Sequence, residues 1–391
     1  MSQKYADIII DISHSAIDRV FQYRIPDAIV DRVEIGSLVK VPFGRGDACR
    51  HGYVIGITEV PSYDVDKIKE IQDVPQKGIP IEGKLIQLAA WMRETYGVTM
   101  NRALQTVMPV KQTVRKTAQK IEETKLSEDQ WPCVKLSEQQ QVLVDAFADD
   151  FQRDICQTYL LYGVTGSGKT EVYIQCIKEV IRAGGQAIVL IPEISLTYQT
   201  VARFRKHFGS RVAFVNSKQS KGEKYEQFKK AKEQEVDVII GPRSALFTPC
   251  ANLKLLVIDE EHDSAFKSDQ SPKYHARDVA IERAKLEHAS VILGSATPSI
   301  ESYARAKKGE YTLWELPERP DGMQTQTIEI VDLREELRLG NRSIISKSLY
   351  DKIADRLEKK EQMMLFINRR GFNSFVSCRA CGEAVKCPKC D

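Results

Sequence analysis

The chain has 391 residues, 42% of them hydrophobic, enough for two or three domains with packed cores. Its net charge is only +3 and its calculated pI about 8.2, a balance compatible with a nucleic-acid partner but not one that indicates it. No run approaches the ~18 apolar residues of a membrane span, and Asp7 and Asp11 interrupt the first apolar stretch, so neither a membrane span nor a secretory signal is expected and the reading is cytoplasmic.

Residues 1–107 open with short β-like segments at 5–12, 21–25, 37–41 and 52–57, separated by turn signals such as Pro26-Asp27 and Pro42-Phe43-Gly44-Arg45-Gly46. They predict a small, strongly bent sheet or barrel. Leu85, Leu88, Met92 and Tyr96 follow at helical spacing. Residues 108–135 are polar, with Lys111, Arg115, Lys116, Lys120 and Lys125 among Gln, Thr and Glu. They read as a solvated linker or as a basic arm for a phosphate backbone. From 136 the pattern becomes α/β. Helices at 137–148, 171–183, 196–208 and 223–235 alternate with strands at 158–162, 187–191, 211–214, 236–240, 255–258 and 291–293. Apolar β-branched strands between helices argue for a parallel sheet covered on both faces. A second α/β unit starts near 325, with a short segment at 329–332, a helix at 347–360 and a strand at 362–367.

Two motifs carry chemistry. Gly163-Val164-Thr165-Gly166-Ser167-Gly168-Lys169-Thr170 fits the phosphate-binding loop, follows a predicted strand and opens a predicted helix. Its glycines let backbone N–H groups curl around phosphates, Lys169 would reach the terminal phosphates of ATP, and Thr170 would hold Mg²⁺. Leu256-Val257-Ile258 leads into Asp259-Glu260-Glu261-His262 at a strand's C-terminal end, where ligands bind in open parallel sheets. Asp259 would hold Mg²⁺ through water and Glu260 would act as general base. Glu261 is left to a supporting or surface role. His262 is either structural or a link to a segment that senses nucleic acid. Gly294-Ser295-Ala296-Thr297-Pro298 follows another buried strand, and Ser295 and Thr297 would relay nucleotide state or simply form a turn.

Nine cysteines are present, and Cys378, Cys381, Cys387 and Cys390 fall within thirteen residues with the spacing of a metal knuckle. Four thiolates can bind one Zn²⁺ tetrahedrally; redox chemistry by one Cys-x-x-Cys pair is the alternative.

The order phosphate loop, Asp259-Glu260-Glu261-His262, then Ser295-Ala296-Thr297 is that of superfamily 2 helicases. Leu190-Ile191-Pro192-Glu193-Ile194-Ser195-Leu196-Thr197, Gly241-Pro242-Arg243-Ser244-Ala245-Leu246-Phe247 and Asn368-Arg369-Arg370-Gly371-Phe372, followed by the cysteines, narrow this. Over nearly its whole length the chain resembles the bacterial PriA family of replication-restart helicases. The resemblance implies a RecA-like lobe with the ATP site at 136–320, preceded by a β-rich 3′-end DNA-binding domain at 1–107. A reduced winged-helix region or linker would occupy 108–135, the start of a second lobe 321–377, and an incomplete zinc module 378–391.

It further implies an ATP-dependent 3′→5′ DNA helicase that recognises stalled forks and promotes reloading of the replicative helicase. Its partners would be forked DNA with a nascent 3′ end, primosome and helicase-loading proteins, and single-stranded DNA-binding protein, with the chain itself a monomer. Phe21-Gln22-Tyr23 matches the family's terminal-nucleotide segment, although the family often has Asp where Gln22 stands. Phe266 and Lys267, then Arg277, match its aromatic-rich loop, and Arg243 and Lys273 would add phosphate contacts. The family's eight cysteines hold two Zn²⁺; with four here, zero or one ion is expected. With most of a second lobe beyond its last residue, this chain is expected to bind nucleotide weakly, to bind DNA ends better and to unwind little. Another superfamily 2 motor, or a DNA-end-binding fragment without productive hydrolysis, are the competing readings.

Overall fold

A computed structural model describes residues 3–12, 14, 17–44, 46–75, 82–108, 131–132, 134–192, 198–216, 219–318 and 327–366. The chain divides into two compact units, Met1–Gly322 and Met323–Asp391.

The first unit begins with four antiparallel strands, β1 (Tyr5–Ile10), β2 (Phe21–Arg24), β3 (Leu38–Phe43) and β4 (Ala48–Thr58), in the order β2-β1-β4-β3. Residues 69–73 hydrogen-bond to both edges: Arg24 N donates to Lys69 O and Ile71 N to Arg24 O on one side, Lys40 N to Asp73 O and Gln72 N to Lys40 O on the other. The sheet therefore wraps round on a segment that is not itself a long strand. Alternate residues fill its interior, among them Ala6, Ile8, Tyr23, Ile25, Val39, Val41, Val54 and Ile71.

Helices α1 (Gly83–Tyr96) and α2 (Met100–Val107) follow. The spacing of Leu85, Leu88 and Met92 anticipates α1, whereas α2 is not anticipated, although Thr99 caps it by accepting from Arg102 N at 3.3 Å. Both helices pack into the neighbouring lobe, sharing one core with Leu246, Phe247, Cys250 and Val279. Lys84 on α1 pairs with the buried Glu287 at 2.7 Å, and Arg102 Nε donates to Ser271 O at 2.8 Å. The β-rich region is thus joined to the lobe by apolar and ionic contacts, not by a linker alone.

The lobe is a parallel sheet of seven strands in the order β11-β5-β10-β9-β6-β8-β7. The strands are β5 (Thr158–Gly163), β6 (Gln186–Leu190), β7 (Val212–Phe214), β8 (Val238–Gly241), β9 (Leu253–Asp259), β10 (Ser290–Ser295) and β11 (Thr312–Leu316). Along β9, Leu255 and Val257 enter one core and Leu256 and Ile258 the other, the period-two pattern of a strand covered on both faces. One face carries α3 (Glu138–Gln152), α4 (Lys169–Arg182) and α5 (Tyr198–Phe208); the other carries α7 (Ala276–Glu287) with α1 and α2. The helices α6 (Lys221–Lys232) and α8 (Ile300–Lys307) complete the lobe.

The second unit shows α9 (Leu333–Arg338) and α10 (Lys347–Glu358). Among the described residues neither the segment at 329–332 nor 362–366, the described part of the strand expected at 362–367, forms a strand, since no ladder takes up its backbone groups. Ile328, Ile330, Ile344 and Phe366 are each more than four-fifths exposed.

Candidate nucleotide and DNA-end sites

β5 delivers the phosphate loop and α4 starts within it. Gly166 and Gly168 take left-handed conformations, φ 85° and 82°, that favour glycine. At Gly168 space is short as well: a Cβ would stand 2.2 Å from Gln140 Nε2. The Gln140 amide donates to Ser167 O at 2.8 Å, while its oxygen accepts from Ser137 N at 3.0 Å. Gln140 thereby fastens the loop to the capping box of α3. This residue was not anticipated, and its signal was the cap itself, Ser137 with a glutamine three residues on. Lys169 is buried and donates to Gly163 O at 2.9 Å. Ser167 Oγ is buried with no hydrogen-bond partner, an orphaned polar atom within the loop. A polyanion fits these donors.

Asp259 ends β9 beside this loop. Burial, and then the Glu260 carboxylate, push its carboxyl from 3.8 up to about 6; Tyr173 and Lys169 act in the opposite sense. The Tyr173 hydroxyl donates to Asp259 Oδ1 at 3.1 Å. Thr170, Asp259 and Glu260 line one cavity of about 290 Å³ with Arg203 and Gln199 from α5. The hydroxyl and carboxylates there suit a hard cation with oxygen ligands such as Mg²⁺.

Glu260 has φ 51°, a left-handed conformation that costs a side-chain-bearing residue energy. His262 Nδ1 lies 3.7 Å from Glu260 Oε2 and 2.7 Å from Ser295 Oγ, and Thr297 Oγ1 is 3.4 Å from His262 Nε2. The imidazole thus bridges the carboxylate at the tip of β9 to the hydroxyls at the tip of β10. Glu261, left to a supporting or surface role by sequence, is fully buried. It accepts from Ser299 N at 2.7 Å, Ser302 Oγ at 3.0 Å and Arg277 Nη1 at 3.3 Å.

Of the residues expected to meet DNA in this lobe, Lys267 and Lys273 are exposed, whereas Phe266 and Arg277 are buried. The Arg277 guanidinium is occupied by Glu261, Ser299 and Ser302. Arg243 donates to Ala265 O at 3.1 Å and to Lys267 O, and sits 5.5 Å over the Tyr274 ring. In this state Arg243, Phe266 and Arg277 build the loop between the carboxylates and α7, and the two lysines project from it.

In the β-rich region a cleft of about 560 Å³ is lined by Phe21, Tyr23, Phe43, Tyr63, Arg19 and Lys69 among others. Phe21 and Phe43 meet edge to face at 5.1 Å, and the Arg19 guanidinium lies 5.1 Å over Phe21. Tyr23 is buried and donates to Pro42 O at 3.0 Å; burial pushes its phenol up to about 12. Gln22 is buried too. Its amide donates to Asp7 Oδ1 at 3.1 Å and Ser62 Oγ at 3.2 Å, and its oxygen accepts from Ser62 N at 2.6 Å. Gln22 therefore braces the loop that presents Tyr63, which is 57% exposed at the cleft. Aromatic faces with cations beside them suit a nucleotide base and its phosphate.

Cys378, Cys381, Cys387 and Cys390 lie outside the described residues. Among the described residues no group of three or more His, Cys, Asp or Glu is arranged to hold a metal, and no helix is long and apolar enough to cross a membrane.

The parallel sheet with Asp259 and Glu260 beside the loop at 163–170 has the architecture of a DEAD-box helicase lobe, and residues 137–306 match the DEAD/DEAH box helicase family. Residues 7–109 match a second family, the 3′ DNA-binding domain of PriA. The Replication restart protein PriA of Bacillus subtilis is 48% identical over 256 residues, covering 66% of this chain and 32% of that protein. That of Chlamydia trachomatis is 32% identical over 465 aligned positions, covering 99% and 61%. That of Rickettsia felis is 34% identical over 368, covering 94% and 54%. The chain belongs to the PriA family. It spans between about a third and three fifths of the length of these relatives. RecG bound to a three-way DNA junction overlaps 59% of this chain and 32% of its own at 22% identity, with a TM-score of 0.40.

Proposed function

We propose that this chain carries the nucleotide site and the DNA-end site of an ATP-dependent 3′→5′ DNA helicase of replication restart. The observation that supports this most is the continuity at the sheet tips. Asp259 and Glu260 stand beside the phosphate loop, and Glu260 is linked through His262 to Ser295, all in the compact unit that also holds the aromatic cleft.

In this reading Lys169 exchanges its bond to Gly163 O for the terminal phosphates, and the loop N–H groups and Ser167 Oγ receive phosphate oxygens. Thr170 and Asp259 hold Mg²⁺, which neutralises phosphate charge when bound. Glu260 orients the attacking water and accepts its proton. His262, held by Ser295 and Thr297, sets the position of Glu260. Phe21 and Tyr63 stack on the last base of a 3′ end, and Lys267 and Lys273 touch phosphate. Residues 108–135 stand where the family carries a winged-helix region. Zn²⁺ at Cys378, Cys381, Cys387 and Cys390, and primosome, helicase-loading and single-stranded DNA-binding proteins as partners, belong to the same reading.

The test is ATP turnover with and without forked DNA in wild type and Lys169→Ala. DNA-stimulated turnover abolished in the variant is expected. Fork binding with no nucleotide binding in the wild type would leave only a DNA-end-binding chain.

A further inference from the structure

Tyr173 lies on α4 one turn beyond Lys169 and Thr170, on the same face of the helix, and is only 1% exposed. Its hydroxyl reaches Asp259 Oδ1 at 3.1 Å by passing Gly294, the residue paired with Asp259 across β10 and β9. A Cβ at position 294 would stand 1.5 Å from that hydroxyl and 2.6 Å from Tyr173 Cζ. Glycine is thus needed there for a notch through the sheet tip, and the side chain that fills the notch is a phenol aimed at one carboxylate.

We infer that Tyr173 is a positioning residue that fixes the Asp259 carboxylate for a divalent cation. This rests on the reading in which Thr170 holds Mg²⁺ and Asp259 holds it through water. Mg²⁺ accepts little departure from octahedral geometry, so a carboxylate free to turn about its own bond would hold the ion's water less well. The hydrogen bond stops that turning by holding one oxygen. It also ties the carboxylate to the helix that carries Thr170 and Lys169, so that both sides of the cation site are set by one rigid element. Tyr173 lines the cavity of Thr170, Asp259 and Glu260, which places it at the site and not behind it.

The experiment is binding of a fluorescent ATP analogue to the full chain while Mg²⁺ is titrated, and again in EDTA. Tyr173→Phe removes one oxygen and keeps the ring. It is expected to need about tenfold more Mg²⁺ for half-saturation, the effect of one hydrogen bond to a charged group. Binding in EDTA should not change. Gly294→Ala, which displaces the same hydroxyl, should move the Mg²⁺ dependence in the same direction, and the double variant should be less than additive. An unchanged Mg²⁺ requirement in Tyr173→Phe would overturn the inference. So would a parallel loss of binding in EDTA, which would mark Tyr173 as support for the loop alone. Wild type that binds no nucleotide under either condition would remove the reading of the phosphate loop itself, and this inference with it.

Discussion

Replacing Asp259 with asparagine is expected to stabilise the nucleotide-free chain while abolishing its turnover. The carboxyl is raised from 3.8 to about 6, first by burial and then by the Glu260 carboxylate. An acid whose pKa rises on folding binds its proton more tightly in the native chain than in the unfolded one. Between 3.8 and about 6 the native state therefore holds more protons, and stability falls as pH rises through that window. Above it the whole penalty is present. Two pKa units set a ceiling of ~3 kcal/mol, and since Asp259 keeps part of its surface in water, about 1–2 kcal/mol is a fairer figure. Asparagine preserves the volume, removes the charge and still offers an oxygen to the Tyr173 hydroxyl. Urea unfolding of both proteins in EDTA should show the variant more stable by that amount near pH 8, with the gain shrinking towards pH 4. A gain of equal size at both pH values, or none near pH 8, would refute the reasoning, because neither follows from an uncompensated carboxylate.

Phe21→Ala should weaken binding to DNA with an accessible 3′ end by about tenfold or more, the worth of one stacked base, without changing nucleotide affinity; fluorescence anisotropy with fork substrates would show it. His262→Ala should lower DNA stimulation of ATP turnover while leaving nucleotide binding intact, since the imidazole touches Glu260 and Ser295 but not the phosphate loop. Glu287→Gln should cost about 3 kcal/mol of unfolding free energy. It removes the carboxylate 3.7 Å from Arg283, which is 1% exposed, leaving Glu82 as the remaining acidic neighbour, and also weakens the pair with Lys84.

The parts that were legible are those written in contiguous residues. The phosphate loop, the carboxylates of β9 and the hydroxyls of β10 sit at strand ends, and parallel strands bring such ends together whatever the details. Sequence leaves His262 and Ser295 as separate options, each after a buried strand; that β9 and β10 are adjacent, which joins them, is a matter of topology. Tyr173 was not readable, since it looks like one more core residue of an amphipathic helix until Gly294 is seen opposite it. The burial of Arg277 was hidden for a related reason: a cation near an aromatic loop reads as a contact to phosphate or to an acidic partner, and only the fold shows the buried Glu261 carboxylate beside it. Gln22 reads as part of an end pocket by position and lines the cleft, but that its amide bonds Asp7 and Ser62, the latter forty residues away, could not be read from sequence. Residues 362–367 have the composition of a strand, but pairing decides whether one forms, and 362–366 have no partner strand among the described residues.

On the proposed reading Glu260 drives ATP hydrolysis under the control of DNA. The most direct test is single-turnover ATP hydrolysis by this chain, with and without a fork bearing a 3′ end, beside Glu260→Gln. Turnover raised by the fork and lost in the variant, with fork binding retained, is expected. Turnover that ignores DNA, or that survives Glu260→Gln, would contradict it.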